Sequence, residues 1–220
     1  MSRLFEVDPS RPDQATEAIH AAADAVQAGR LVVFPTDTVY GLACRPDDAA
    51  ATGRLFDAKR RPSGLTLPVL APSTELAFDL GVSNGTAVRL AEQFWPGPLT
   101  MILPRSRGSN DWWLGETTAS IGVRVPDHPV ALALLERTGP VAATSANLSG
   151  QEPIKEAHAL REAFGDDVAI YLVTPPATSG WGRSSTVVDL TGRDVAILRE
   201  GPIDPADLLS AAGRVGGMAS

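Results

Sequence analysis

Short apolar runs alternate with amphipathic stretches along the whole chain. LVVF (31–34), LPVL (67–70), LTMIL (99–103), SIGVRV (120–125), VAAT (141–144) and VAIYLV (168–173) are brief and bounded by Gly, Pro or polar residues, which predicts strands. STVVDL (185–190) and VAILRE (195–200) predict two more, paired as a hairpin around Thr191 to Asp194. Helical periodicity marks QATEAIHAAADAVQA (14–28), residues 47–58 and 85–94, PVALALLERTG (129–139), KEAHALREAFG (155–165) and DPADLLSAA (204–212). Asp13 reads as the N-cap of the first helix and Gly29 as its C-terminal stop. In WPGP (95–98), Pro96 and Pro98 forbid the preceding helix to continue.

Strands and helices interleave throughout, so the class is α/β. The hairpin-like pair argues for a mixed parallel and antiparallel sheet. With no long linker, repeat or low-complexity segment, residues 1–220 read as a single domain, its core at about 14–210 and its tail, 213–220, mobile.

Composition narrows the functional classes. The 220 residues are 44% hydrophobic and 20% charged, ordinary for a globular protein, and the net charge is −7. That balance gives no general pull towards nucleic acid or anionic lipid, so any polyanion must be met by a local basic patch. One cysteine, Cys44, rules out an internal disulfide or a thiolate metal site and reads as a small core residue. The N-terminus has no secretory pattern, and no apolar run approaches the ~18 residues of a membrane span. The expected location is the cytoplasm, with no membrane contact. Of the three histidines, His20 and His158 fall in helical patterns and His128 precedes Pro129 at a helix start; none has metal-ligand spacing.

Four polar clusters sit at strand ends, where open α/β sheets bind ligands. They are PTDTVYG (35–41), KRRPSG (59–64), TSANLSG (144–150) and GWGRSST (180–186). Three of them have an ordinary alternative: a solvated basic helix end for KRRP, a left-handed Asn turn for TSANLSG, a polar strand start for SST. Arg124, flanked by valines, needs a partner, either an ion pair or a bound anion. Arg199 stands beside Glu200, but strand neighbours point to opposite faces. Together the clusters supply hydroxyls, an amide and several fixed cations, and lack the Ser-His-Asp and paired-carboxylate sets of ordinary hydrolases. The residues by themselves indicate a small anionic ligand, such as a nucleotide.

PTDTVYGL, Lys59-x-Arg61-Pro62, FWPGPLT (94–100), VRVPDHP (123–129), TSANLSG, STVVDL and ILREG (197–201) occur in that order, and together the chain resembles the YrdC-like threonylcarbamoyl-AMP synthases, the TsaC group, over residues 17–205. The resemblance implies a twisted mixed sheet flanked by helices around a large basic cavity. It implies a nucleotidyltransferase: L-threonine and bicarbonate form a carbamate that attacks the α-phosphate of ATP, releasing pyrophosphate. A downstream tRNA threonylcarbamoyl transferase complex then modifies the adenosine beside the anticodon, and weak contact with tRNA itself is a further implication. The family pattern puts Thr38, Arg124, Ser145 and Ser185 around L-threonine, and Lys59, Arg61, Ser120, Asn147 and Arg199 around ATP, with Lys59 and Arg61 catalytic. Mg2+ is expected to arrive with ATP, no protein side chain is expected to hold a metal, and no organic cofactor is expected.

Departures from the family pattern are Leu65 for a common Asn, Leu70 for a common His, TSAN for PSAN, LREG for LRPG, and Pro153–Ile154 for a Pro-Thr pair. The competing reading is a non-catalytic module that binds double-stranded RNA or tRNA in the same hollow. A carbamoyl-transfer domain of hydrogenase maturation ranks last, because the acylphosphatase and zinc-finger regions that accompany it are missing from this sequence.

Overall fold

The computed structural model of the protein describes residues 2–175 and 182–213. Gly180 and Trp181 of the fourth polar cluster, and residues 214–220 of the expected mobile tail, lie outside the described residues. Among those described, ten strands form one sheet: β1 (Arg3–Glu6), β2 (Leu31–Phe34), β3 (Gly41–Cys44), β4 (Val69–Leu70), β5 (Leu99–Pro104), β6 (Ser120–Arg124), β7 (Val141–Ser145), β8 (Val168–Val173), β9 (Thr186–Asp189) and β10 (Ala196–Arg199). Their order is β1-β8-β2-β3-β7-β4-β6-β5-β9-β10. The pairs β1/β8, β2/β8, β4/β6 and β5/β9 are parallel and the rest antiparallel, so the sheet is mixed, as the hairpin-like pattern predicts.

Period-two alternation sorts the strand residues between two cores. Leu31 and Val33 of β2 enter one, while Val32 and Phe34 enter the other. On the first face lie α2 (Ala49–Lys59), α3 (Thr74–Leu80), α4 (Gly85–Phe94), α6 (Ala157–Phe164) and α7 (Pro205–Ala211), contributing Leu55, Leu80, Leu90, Leu160 and Leu208. On the second face, among the described residues, lie α1 (Thr16–Gln27), the 3-10 turn before it and α5 (Pro129–Thr138), packed on one another and on the β8–β2–β3–β7 half. In β8 a register shift opposite Leu31 and Val32 leaves Ala169 as an extra residue, which is why Ala169 and Ile170 serve the same core.

Two expectations need correction. Asp13 does not cap α1 with its side chain. A 3-10 turn, Pro12–Ala15, precedes the helix, so Asp13 already lies inside a helical turn, and its carbonyl accepts from Thr16 Oγ1 at 2.6 Å. The core also begins before residue 14: β1 pairs with the wholly buried β8, and Val7 is buried against α1. Gly29 does stop α1, with φ +69° and its N–H on Val26 O.

Candidate functional site

Because α1 and α5 cover only half of their face, the β4–β6–β5–β9–β10 half has no helix over it among the described residues. The sequence of those strands matches the gap. Leu99, Met101, Leu103, Ile121, Val123 and Val188 point into the covered core, whereas Thr100, Ile102, Ser120, Gly122, Arg124 and Val187 line the open side. Two adjoining hollows result. One, with about 650 Å3 of empty space partly continuous with solvent, is lined by Thr38, Tyr40, Arg124, Ser145 and Ser185, among others. The second, about 840 Å3 measured the same way, is lined by Leu65, Ile102, Thr117, Ser120 and Val187. Arg61, Pro68, Thr100 and Arg199 line both, so the two hollows adjoin at these residues.

Arg124 ends β6 and is 5% exposed, so the unfavourable burial of a cation must be offset. Asp37 Oδ1 accepts from Nη2 at 2.5 Å, Thr38 Oγ1 from Nη1 at 3.0 Å, and Gly97 O from Nε at 3.0 Å. The ion pair and the hollow therefore both hold Arg124. Burial pulls its pKa down and Asp37 pulls it up, and the guanidinium stays charged at neutral pH. The turn that offers Gly97 O tolerates no side chain there: a Cβ would stand 2.5 Å from Phe94 O. Thr38 is fixed in turn by Thr36, whose Oγ1 accepts from the N–H groups of Thr38 and Val39, both at 3.2 Å, and lies 3.0 Å from Thr38 Oγ1. A buried strand thus ends in a hydroxyl-braced turn that aims Thr38 at the hollow.

Ser185 precedes β9 and is bonded on both sides. Its Oγ lies 2.8 Å from Thr100 Oγ1 and accepts from Arg199 Nη2 at 3.1 Å, while its carbonyl accepts from Arg199 Nε at 3.0 Å. Arg199 reaches this position through a bulge. Ile197 pairs with Val188, but Arg199 pairs with Val187, which leaves Leu198 as the extra residue, 58% exposed. The shift puts Arg199 on the open face with Val187, opposite the core-facing Ile197. Gly201 lets the chain leave β10 close beside this site, since a Cβ there would stand 2.3 Å from Thr186 N and 2.6 Å from Ser184 O.

Lys59, the last residue of α2, is 1% exposed and does not line either hollow. Its Nζ donates to the carbonyls of Ser145 and Asn147, at 2.5 Å each, and its own carbonyl accepts from Ser149 N. Lys59 therefore clamps the TSANLSG loop from below. Burial, and next the charge of Arg61, pull its pKa down to about 8. The solvated helix-end alternative fails for this residue, although Arg60, left-handed at φ +51°, is exposed. Asn147 is also buried; its Nδ2 donates to Leu148 O and Gln151 O, and its Oδ1 has no partner among the described residues. Arg61 holds Leu65 O and Thr66 O, at 3.0 and 3.2 Å. Burial lowers the pKa values of Arg61 and Arg199, and the Arg199 charge lowers that of Arg61 further.

Seven of the nine residues singled out in the sequence line the two hollows: Thr38, Arg61, Ser120, Arg124, Ser145, Ser185 and Arg199. Lys59 lies under the loop that carries Ser145, and Asn147 is a buried member of that loop. Of the residues at which the chain departs from the family pattern, Leu65 and Leu70 line the hollows, and Ile154 lies beside Thr38 in a small neighbouring cleft. Sequence reasoning missed Thr100, Ser184, Thr117 and Asp37. Thr100 had a signal, as the polar member of an apolar strand with a polar partner strand to pair with; Asp37 had none beyond its place between two threonines. His20 and His158 are exposed, and Cys44 is buried with its pKa pushed up to about 12 by burial. His128 is buried beside Asp37, its pKa lowered by burial against the pull of Asp37 and Asp127. Among the described residues no helix is long and apolar enough to cross a membrane.

Comparison with known proteins gives concordant results. The family model for Sua5, YciO and YrdC, described as "Telomere recombination", matches residues 24–201. A Mycobacterium tuberculosis protein is 40% identical over 197 residues, 89% of each chain. The threonylcarbamoyl-AMP synthase of Escherichia coli is 35% identical over 182 residues, 80% of this chain and 93% of that one. The crystal structure of Pyrococcus abyssi Sua5 complexed with L-threonine superposes with a TM-score of 0.80 at 32% identity, covering 97% of this chain and 60% of that longer one.

Proposed function

The chain belongs to the Sua5/YciO/YrdC family, and we propose that it is a threonylcarbamoyl-AMP synthase, a nucleotidyltransferase that converts L-threonine, bicarbonate and ATP to L-threonylcarbamoyl-AMP, pyrophosphate and water. One observation carries this reading: Thr38, Arg124, Ser145 and Ser185 share a hollow that adjoins, at Arg61 and Arg199, a second large enough for a nucleotide. The named relatives and the threonine-bound Pyrococcus structure support it.

In this reading L-threonine sits in the first hollow, its carboxylate on the two Arg124 N–H groups that carry no bond among the described residues. Its hydroxyl meets Thr38, Ser145 or Ser185. The amine takes up carbon dioxide from bicarbonate, and the resulting carbamate oxygen attacks the α-phosphate. That oxygen is already anionic, so little general-base help is needed, which fits a site without a lining histidine among the described residues. The barrier is one anion approaching another. Arg61 and Arg199, where the two hollows adjoin, with Lys59 beneath, offset it. Magnesium enters as part of the ATP substrate. Asp37 is engaged with Arg124, and no group of three metal-ligating side chains occurs among the described residues, so the phosphates would hold the ion. The three positive side chains would give the hollow the basic character that a triphosphate requires. The product would pass in the cytoplasm to a tRNA threonylcarbamoyl transferase complex.

The test is pyrophosphate release in the presence of ATP, Mg2+, bicarbonate and L-threonine. Release is expected to depend on threonine and to fall about 100-fold or more in Arg61→Ala. Release that ignores threonine would refute the substrate assignment. No release, together with tight salt-sensitive binding of duplex RNA, would favour the RNA-binding reading instead.

A further inference from the structure

The three guanidiniums of the hollow are not electrically equivalent. Arg61 holds two neutral carbonyls, Leu65 O and Thr66 O, and Arg199 holds the carbonyl and hydroxyl of Ser185. Among the described residues neither has a carboxylate partner. Arg124 does: Asp37 Oδ1 stands 2.5 Å from Nη2, with both side chains at or below 10% exposure. The second carboxylate oxygen, Asp37 Oδ2, is buried and has no hydrogen-bond partner among the described residues. The charge therefore runs from about +2 at Arg61 and Arg199 to about zero at the Arg124 end, along the lining of the first hollow.

The enzyme as proposed must keep two anions apart in this space. Both a carboxylate and a phosphate suit a guanidinium fork. Three adjoining arginines without a countercharge would accept phosphate at either end. An amino acid brings one carboxylate and a compensating ammonium; inorganic phosphate brings between one and two uncompensated charges at neutral pH, and pyrophosphate and a nucleotide tail bring two or more. Resting on the substrate reading above, we infer that Asp37 is a specificity-determining residue: by neutralising Arg124, it reserves that end of the hollow for a carboxylate and directs phosphate to Arg61 and Arg199. The rejection is repulsive. A phosphate at Arg124 would face a pair of no net charge and an unsolvated carboxylate oxygen, and like-charge contact of this kind is an effective means of discrimination. The geometry of Arg124 does not itself need a charged partner, because an amide oxygen in the place of Asp37 Oδ1 can accept the same Nη2 hydrogen.

The experiment titrates inorganic phosphate into the protein by calorimetry. The wild type is expected to bind phosphate at one site, lost in Arg61→Gln. Asp37→Asn is expected to gain a second phosphate site, or at least about tenfold in affinity at the Arg124 end, and to lose that gain when Arg124→Gln is added. Unchanged phosphate stoichiometry and affinity in Asp37→Asn would overturn the inference. A second variant guards against misfolding at the ion pair: Arg61→Gln/Arg199→Gln leaves Asp37 and Arg124 intact and should bind no phosphate. Phosphate binding there that disappears on adding Arg124→Gln would also overturn it. L-Threonine separates the two layers of the argument. Displacement of the second phosphate of Asp37→Asn by L-threonine supports both. A second phosphate site in Asp37→Asn, combined with no threonine binding to the wild type, upholds the charge filter and refutes the threonine assignment.

Discussion

Lys59 joins the two halves of the site. Its ammonium lies between the carbonyls of Ser145 and Asn147, so a helix end, the hollow-lining Ser145 and the rest of the TSANLSG loop share one charge. With the pKa lowered to about 8, the ammonium is the major form below that pH and the neutral amine above it. The neutral amine still has two N–H groups, enough for both carbonyls, so the loop stays clamped; what disappears is the positive charge buried beneath the hollow. In the free enzyme, kcat/KM for ATP should therefore fall as pH rises through about 8, and Lys59→Ala should remove that limb along with about 100-fold or more of the activity. A pH–rate profile of both proteins checks this, and a flat wild-type profile from pH 7 to 9 would contradict it. At this scale the sequence was informative about residue type and less so about burial. Charged and hydroxyl residues at strand ends marked positions most of which line the two hollows. That Lys59 lies under the loop and Arg124 is matched by Asp37 depends on segments 86 or more residues apart in sequence meeting in space, which no local pattern encodes.

Elements position these residues through small irregularities. The bulge at Leu198 turns Arg199 to the open face, and Gly201 allows the chain to pass against Ser184, Ser185 and Thr186. Gly201→Ala would force a backbone shift there, because the new methyl would overlap main-chain atoms rather than a flexible side chain. The expected result is a loss of about 1–3 kcal/mol in stability, and a loss of pyrophosphate release larger than the change in melting temperature would explain. Unchanged kinetics would show that Arg199 and Ser185 do not act as a unit. Long periodic elements such as α4, α5 and β8 were legible because periodicity and Pro or Gly boundaries agree along one stretch. Some short ones were too, β2 among them, but others were not. Gly41–Cys44 follows a polar turn directly and has no boundary signal of its own. Thr74–Leu80 is two turns long, held by a Ser73 cap. The Leu198 bulge arises from pairing with β9, so it cannot be read from β10.

The whole molecule manages an exposed sheet edge as well as an exposed sheet face. β8 is buried along its entire length, and β1, short and carrying Arg3 and Glu6, covers its outer side. Deleting residues 1–7 should uncover an apolar edge at the opposite end of the sheet from the hollow. The melting temperature is expected to fall and aggregation to rise, while kcat of the remaining folded protein stays within about twofold, since additivity holds for distant sites. Light scattering and activity measured on the same sample check both parts; a lost kcat at full solubility would show that the edge strand communicates with the site.

The half-bare sheet face has a further consequence. On β5, β6 and β9 the residues that hold the molecule together and the residues that line the hollows occupy alternating positions of the same strands. Adhesion and recognition are thus written in interleaved letters, and one set can be rewritten while the other is left intact. Diversification of such a protein towards new small anions needs no new loop or insertion, only exchanges at every second residue of three adjacent strands.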